Sequence, residues 1–240
     1  MSVLRKGLFV AALLASSSGR AAVGKVSALE GSAVRIPKGG AEVALAAGAA
    51  VELEDTLRTA AGAFLKLELT DGTALALGPE SELILEVADF SGQERGSFSA
   101  RLLVGKFWTK VKKAMAGSTS RFEVKAGRAV AGVRGTIFRL DATPLVAGTR
   151  PPKIRETLVR VLEGKVGVDA QVKKAAGKPS PPGPRHEVPG PQEISAEEWE
   201  KRFVELQARQ QVAIGDSYFR TGTFDPSRKD ALDRFLDKHP

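Results

Sequence analysis

Apolar and polar residues alternate along most of the first 170 positions, and short glycine turns separate the alternating stretches. Every second residue is leucine in Leu65–Leu69, the pair Asp71-Gly72 follows, and the alternation resumes in Leu75–Leu77. A period of two places alternate side chains on one face of a β-strand, and an Asp-Gly pair between two such stretches is typical of a hairpin. This segment is therefore predicted to be a β-hairpin.

The same pattern recurs along the chain and predicts an all-β fold. It continues in Leu83–Val87 and again in Val159–Val168, with a glycine turn inside the second stretch. Many short strands joined by glycine turns are expected to form a compact β-sandwich, a jelly roll or a short solenoid over residues 23–170. The tripeptide Leu29-Glu30-Gly31 recurs as Leu162-Glu163-Gly164, and both are interpreted as hairpin tips.

The most diagnostic stretch is Arg121–Phe138, which reads as a strand, a glycine turn and a second strand. The turn contains Gly132, Arg134, Gly135 and Thr136. Its two glycines are expected to allow backbone conformations or close approaches that a Cβ atom would oppose. Because isolated glycines among strands usually mark bulges or tight approaches, we interpret this stretch first as a structural motif and second as a ligand loop.

This stretch resembles the core motif of the FecR domain, in which an Arg-Phe-Glu-Val strand leads to a Gly-Val-Arg-Gly-Thr turn. The resemblance extends in family order over residues 24–170, including Leu57-Arg58-Thr59 and the segments Ala63–Pro79 and Gly105–Trp108. The chain departs from the family pattern at Glu54-Asp55, where a Gly-Asp pair is usual, so an altered turn is expected there.

The family resemblance implies a non-catalytic signalling domain. In its membrane-anchored members this domain relays a signal from an outer-membrane transporter to a cytoplasmic sigma factor. The present sequence shows neither the anti-sigma segment nor the transmembrane helix of those members, so direct regulation of a sigma factor is not expected.

The N-terminus has the pattern of a secretory signal peptide over residues 1–22. Arg5 and Lys6 precede a short apolar run, and small residues follow up to a cleavage site after Ala21 or Ala22. The apolar run is too short to span a bilayer. The expected location is therefore the periplasm or the extracellular space. The chain contains no cysteine, which excludes disulfides and a lipid-modified cysteine anchor.

Charge is unevenly distributed. The formal net charge is +8, but residues 41–94 contain eleven acidic residues against two basic ones, whereas residues 100–140 contain ten basic residues against one acidic. The two regions could pair as facing strands, or the basic region could form a surface that binds an anionic partner. The candidate basic surface consists of Arg101, Lys106, Trp108, Lys110, Lys112, Lys113 and Arg121.

Catalysis finds little support in the sequence. The two histidines, His186 and His239, lie in a proline-rich stretch and beside the C-terminus, and there is no cysteine nucleophile. No cofactor and no metal site are expected. The acidic pairs Glu52/Glu54 and Glu80/Glu82 resemble a glycosidase pair in spacing alone, and exposed strand positions explain them better.

The composition changes after residue 170. Six prolines predict an extended linker over residues 171–193. Residues 194–240 are predicted to be a helical hairpin that resembles one tetratricopeptide unit, with Ser195 as the cap of its first helix and Asp225-Pro226 opening the second. Since one such unit cannot bury its own apolar face, it must dock on the β domain or on a partner. The proposed partner-binding face of its first helix consists of Trp199, Phe203 and Leu206.

Three functions remain open from sequence alone. The first is an envelope module that binds another protein and takes part in signalling. The second is a module that binds the cell wall, with peptidoglycan, an acidic glycan or an anionic lipid as ligand. An envelope hydrolase is the remote third. Nucleic acid is not an expected partner, because an exported protein meets little of it.

Overall fold

The computed structural model describes residues 22–91, 94–112, 120–133, 135–173 and 199–240. The predicted signal peptide, apart from Ala22, and most of the proline-rich linker lie outside the described residues. Lys113 and Arg134 lie outside them as well.

The described residues form seventeen β-strands and one α-helix. The first nine strands are β1 (Ala22–Glu30), β2 (Ala33–Ile36), β3 (Val43–Ala44), β4 (Ala50–Glu52), β5 (Thr56–Thr59), β6 (Phe64–Leu69), β7 (Ala74–Leu77), β8 (Glu82–Ser91) and β9 (Glu94–Lys110). The remaining elements are β10 (Arg121–Ala126), β11 (Ala129–Val133), β12 (Ile137–Pro144), β13 (Ile154–Glu163), β14 (Lys165–Lys173), β15 (Trp199–Gln207), β16 (Gln210–Gly215), β17 (Phe219–Thr223) and α1 (Ala231–Lys238).

The strands form two sheets that pack face to face and share β9. Sheet A has the order β4-β1-β6-β7-β9-β12-β13-β16-β17. Sheet B has the order β3-β2-β5-β8-β9-β10-β11-β14-β15. The pair β9–β10 is parallel and the other pairs are antiparallel. The all-β prediction is confirmed, and the architecture is a sandwich.

The long strand β9 passes from sheet B to sheet A at Gly105. This glycine has φ +97°, and a Cβ atom there would lie 2.2 Å from Ser81 Oγ and 2.5 Å from Ser81 Cα. The backbone conformation and the close approach both require glycine at this corner. The crossing lets one strand pair with β8 and β10 before the corner and with β7 and β12 after it.

The core lies between the two sheets and is continuous along the sandwich. Its largest fully buried side chains include Phe98, Phe107, Phe122 and Phe138, and the first and third of these stack with ring centroids 4.7 Å apart. The inward leucines of β6 and β7 contribute to the same core, so the hairpin predicted around Asp71-Gly72 is confirmed.

The two Leu-Glu-Gly tripeptides are not hairpin tips. Gly31 and Gly164 both have positive φ, +77° and +83°, as expected for tight turns. However, β1 and β13 belong to sheet A, whereas β2 and β14 belong to sheet B. Each tripeptide therefore turns the chain from one sheet to the other as an arch, because the flanking strands pair with different neighbours.

The predicted first helix of the C-terminal segment is wrong. Residues 199–223 form β15, β16 and β17, which extend sheet B beyond β14 and sheet A beyond β13. The apolar residues of this segment also fit a strand, since Val204 and Leu206, and then Val212 and Ile214, follow a period of two. The free edges of β13 and β14 offer strand pairing that a short helix cannot match.

The second helix exists but begins later than predicted. Asp225 instead forms a turn by accepting hydrogen bonds from the backbone N–H and hydroxyl of Ser227. Asp230 is the N-cap of α1, and Asp233 completes a capping box. Because the predicted partner helix is a pair of strands, the resemblance to a tetratricopeptide hairpin is not supported. The helix docks on sheet A.

Candidate functional site

The structure divides the predicted basic surface between two sides of the molecule. Arg101 and Arg121 belong to the sheet B side and are half or more exposed, whereas Lys106, Trp108 and Lys110 follow the Gly105 corner and face outward from sheet A. The backbone N–H of Lys112 donates to Thr73 beside the β6–β7 turn. Lys113 lies outside the described residues. Because β9 changes sheets, residues adjacent in sequence cannot form one continuous basic face.

The residues of the predicted partner-binding face are also separated by the fold. Phe203 is 66% exposed and Leu206 is 1% exposed, because residues three apart on a strand point to opposite faces. The side chain of Trp199 lies outside the described residues. Leu206 belongs to the core between the sheets, so these residues do not form a common binding face.

The glycine turn after β11 behaves as a structural motif. Gly135 has φ +64°, as predicted, and the buried hydroxyl of Thr136 donates to Lys165 O at 2.9 Å. Gly132, in contrast, lies in β11 without a positive φ, and a Cβ atom there would meet its nearest neighbour, Gly167 O, at 4.0 Å. The expectation that Gly132 must be glycine for steric reasons is wrong. Arg134 lies outside the described residues.

A cleft of about 490 Å³ lies where arches between the sheets stack on one another. Its wall contains the chain from Arg58 to Ala61, the turn from Pro79 to Glu82, and the corner at Gly105. Its other side is formed by the end of β12 and by residues 146–152 of the loop between β12 and β13. This cleft combines charged, hydroxyl and apolar groups, and we name it the arch cleft.

Hydrogen bonds between successive arches make the cleft wall rigid. The Thr59 hydroxyl donates to Gly78 O at 2.7 Å and accepts from Ser81 N–H at 2.9 Å. The Ser81 hydroxyl in turn accepts from Lys106 N–H at 2.9 Å. Three consecutive layers of backbone are thereby joined through two buried or half-buried hydroxyl groups. A ligand in the arch cleft would meet a preformed surface.

Charges of both signs surround the arch cleft. Glu82 accepts from Arg58 Nε at 3.3 Å and lies 3.6 Å from Arg150 NH1. Lys106 Nζ donates to Asp230 at 2.9 Å. Glu80 is exposed and holds φ +51°, a left-handed conformation that is unfavourable for a residue with a Cβ. Strained backbone of this kind concentrates at functional sites.

One side of the arch cleft is continuous with a C-terminal strap, residues 224–240, that crosses the outer face of sheet A. The Arg160 guanidinium lies 6.0 Å from the Phe224 ring, and Phe235 stacks on Phe64 with centroids 5.3 Å apart. His239 Nε2 lies 3.1 Å from Glu30 Oε1 on β1. The strap therefore contacts strands from β13 to β1 and covers a small apolar cluster to which Trp108 belongs.

A buried arginine fastens the middle of the strap. Arg139 on β12 is 3% exposed and donates to Asp230 and Asp233 on the strap. Burial by itself lowers the pKa of Arg139, but its hydrogen bonds to Asp230 and the negative charges of Asp141 and Asp233 outweigh burial and raise that pKa. Burial likewise raises the pKa of Asp230, but the hydrogen bonds that it accepts from Arg139 and Lys106 outweigh burial and hold that pKa well below 3.8.

The two acidic pairs do not lie on shared strand faces as expected. Glu54 and Glu80 are in turns with positive φ, whereas Glu52 and Glu82 are in strands. Arg35 lies 3.4 Å from Glu52, and Lys38 forms an ion pair with Glu54. Within the described residues no group of histidine and acidic side chains has the arrangement of a metal site.

The described part of the chain contains no helix with the length and apolar character needed to cross a bilayer.

Residues 55–167 match the family model described as FecR protein. The chain carries a FecR domain. Two crystal structures of a proposed anti-sigma factor from Parabacteroides distasonis are similar to it, each with 15% identity and a TM-score of 0.48. The similarity covers 72% of this chain and 61% of each of those chains, which is less than two thirds of their length. No curated protein matches the chain.

All arch-cleft residues lie between positions 58 and 152 and therefore within the matched FecR region. The strap lies after the matched region. Sequence reasoning missed both features, because the arch cleft is assembled from distant turns and Arg139 reads as an ordinary strand residue. The two aspartates at the start of the helix, Asp230 and Asp233, were the one local signal for the strap.

At the departure from the FecR pattern, Glu54 stands where the family usually has glycine. It adopts a left-handed φ of +66°. Its backbone N–H donates to Leu85 O at 2.8 Å. The following Asp55 is fully buried and accepts from Arg35 at 3.2 Å and from Glu52 N–H at 2.9 Å. These contacts hold the turn in a conformation suited to glycine although a glutamate occupies it.

Proposed function

We propose that this protein is a non-catalytic interaction and signalling module of the cell envelope, and that its FecR domain binds a segment of a partner protein in the arch cleft. The FecR match supports a signalling role. The N-terminal sequence pattern supports export, and the ion pairs of the acidic residues support a structural use of those carboxylates.

One observation carries this proposal: the arch cleft has a rigid wall and a rim with charges of both signs. Glu80 and Arg150 are exposed on this rim, and the Thr59 and Ser81 hydroxyls brace the wall. A mixed rim suits a polypeptide, which carries both charges and backbone hydrogen-bonding groups, better than a ligand of one sign. Rigidity lowers the entropy lost when the partner binds.

The test is site-specific photo-crosslinking of the full chain in envelope extract. A photoreactive residue replaces Glu80 on the cleft rim, and a matched one replaces Arg121, whose side chain is 73% exposed on the sheet B side. We expect a defined protein adduct from position 80 and none from position 121. The charge reversal Arg150→Glu should reduce that adduct. Equal adducts at the two positions would reject the arch cleft as the binding site.

A second candidate function has its own observation. A shallow groove on sheet B is lined by Arg101, Lys125, Arg128 and Lys201, with Asp169 as its acidic member. Such a groove suits an acidic glycan of the cell wall. Glu86 already accepts from both Arg101 and Lys125, and Arg128 pairs with Asp216, so much of this positive charge is neutralised. We therefore rank glycan binding second. Loss of glycan retention in Lys201→Glu, with Arg228→Glu as control, would support it.

A further inference from the structure

The β12–β13 loop exposes two adjacent aliphatic side chains where it leaves β12. Leu145 is 59% exposed and Val146 is 57% exposed, and every residue from position 145 to position 151 is exposed. Single exposed apolar residues are ordinary, whereas an adjacent pair forms a small apolar patch. Leu145 does not line the arch cleft, so its exposure has no explanation in the proposed protein site.

The same segment carries positively charged side chains and no acidic residue. From Ala142 to Arg155 the chain contains Arg150, Lys153 and Arg155 and no acidic residue. All three are exposed. Of the acidic groups nearby, Glu82 on β8 lies 3.6 Å from Arg150, and Glu156, which follows Arg155 on β13, accepts a hydrogen bond from the Tyr218 hydroxyl at 2.5 Å. The loop itself is therefore both aliphatic and positively charged.

The loop is ordered before it meets a ligand. Leu145 N–H donates to Lys153 O at 2.7 Å, which places a cationic residue directly beside the exposed leucine. The Thr149 hydroxyl donates to Val146 O at 3.0 Å. Prolines at positions 144, 151 and 152 restrict the backbone further. A surface held in this way loses little conformational entropy on binding.

We propose that this loop binds an anionic phospholipid surface, with Leu145 and Val146 entering the headgroup region and Lys153 and Arg155 pairing with lipid phosphates. Interfacial binding combines buried aliphatic area with attraction between cations and anionic lipids. The loop supplies both within a few residues. It contains no aromatic side chain and no acidic group, which are the components that a protein-binding patch would add. Val146 also lines the arch cleft, but the inference concerns a different ligand and does not depend on the proposed protein site.

The test is co-sedimentation of the full chain with vesicles. One set contains phosphatidylcholine alone, and the other contains equal parts phosphatidylcholine and phosphatidylglycerol. We expect binding to the second set only. Lys153→Gln with Arg155→Gln should weaken it by about fivefold per charge removed. Leu145→Ser with Val146→Ser should weaken it by about tenfold. The matched apolar control is Val87→Ser with Phe203→Ser, two exposed residues of sheet B, and the matched charge control is Arg121→Gln.

Circular dichroism of each variant establishes that it remains folded. Absence of binding to phosphatidylglycerol vesicles would overturn the proposal, and so would equal losses in the loop variants and their controls. Binding that responds to the charge variant but not to the aliphatic variant would also overturn it, because insertion of the aliphatic pair is part of the inference. If the aliphatic variant binds vesicles normally but loses the crosslinked protein, the loop belongs to the protein site instead.

Discussion

Arg139 and Asp230 lie 91 positions apart in the chain and form a two-pronged ion pair, with NH2 donating to Oδ2 at 2.8 Å and NH1 to Oδ1 at 3.2 Å. The pair joins the middle of sheet A to the cap of the only helix in the described residues. It also connects the strap to the arch cleft, because Lys106, a cleft residue, donates to the same aspartate.

Breaking this pair should destabilise the strap. Arg139→Met removes a buried cation that pairs with Asp230, Asp233 and Asp141, and we expect a loss of about 3 kcal/mol in the free energy of unfolding. A double-mutant cycle with Asp230→Asn should show a coupling energy of about 2 kcal/mol. Urea unfolding measures both values. Arg234→Met, on the exposed side of the same helix, is the control and should change little. Additive single effects would contradict a direct interaction.

The fluorescence of Trp108 can report whether the strap is docked on sheet A. It packs on the cluster of Ala28, Ala76, Leu232 and Phe235. In a Trp199→Phe background, Trp108 is the remaining tryptophan. Replacement of Phe235 by alanine removes the ring that stacks on Phe64, so the fluorescence of Trp108 should shift to longer wavelength at denaturant concentrations below the main transition. The exposed change Asp237→Ala should leave the spectrum unchanged. A spectrum insensitive to Phe235→Ala would place Trp108 outside the strap contact.

The folded protein should become less stable in acid because Asp230 becomes protonated. Its pKa is held well below 3.8 in the folded protein, chiefly by Arg139 and Lys106 against the effect of burial. Because this pKa is lower in the folded state, the unfolded state binds the proton more readily. The stabilisation that ionised Asp230 provides is therefore present above about pH 4 and is lost as the pH falls further. Urea unfolding from about pH 7 to about pH 3 should show this decline. In Asp230→Asn the decline should be shallower, and an unchanged slope would assign the acid sensitivity to other carboxylates.

Glu54→Gly should stabilise the FecR domain. The φ of +66° is unfavourable for glutamate, and left-handed backbone costs a residue with a Cβ about 1 kcal/mol. Glycine removes that cost but loses the ion pair with Lys38 and has a more flexible unfolded state. We expect a net gain of about 0.5 kcal/mol in thermal or urea unfolding. Glu68→Gly, within strand β6, should instead be destabilising, and a loss at both positions would mean that Glu54 is not strained.

Gly105→Ala and Gly62→Ala separate backbone strain from steric clash. Both glycines have positive φ, but a Cβ at position 62 meets no atom within 4 Å, whereas one at position 105 collides with Ser81. We expect Gly62→Ala to cost about 1 kcal/mol and Gly105→Ala to cost about 3 kcal/mol or more. Melting temperatures give the comparison. Similar losses at both positions would show that β9 can shift away from Ser81.

Local sequence determined the strands whose partners are close in the chain. The β6–β7 hairpin follows from alternating leucines around Asp71-Gly72, and the positive φ of Gly135 follows from a glycine between two strands. The FecR resemblance added the order of the elements from residue 24 to residue 170. These features depend on side-chain alternation and turn chemistry, which act over a few residues and can be seen without the rest of the fold.

The tertiary structure alone decided how the strands are distributed between the sheets. The basic residues of β9 separate because the chain crosses at Gly105, and residues 199–215 become strands because β13 and β14 leave edges to be paired. Arg139 is buried only because the strap returns from the end of the chain to cover it. Pairing and burial depend on partners that are tens of residues away, so local periodicity, which suits a helix or a strand equally in short segments, cannot settle them.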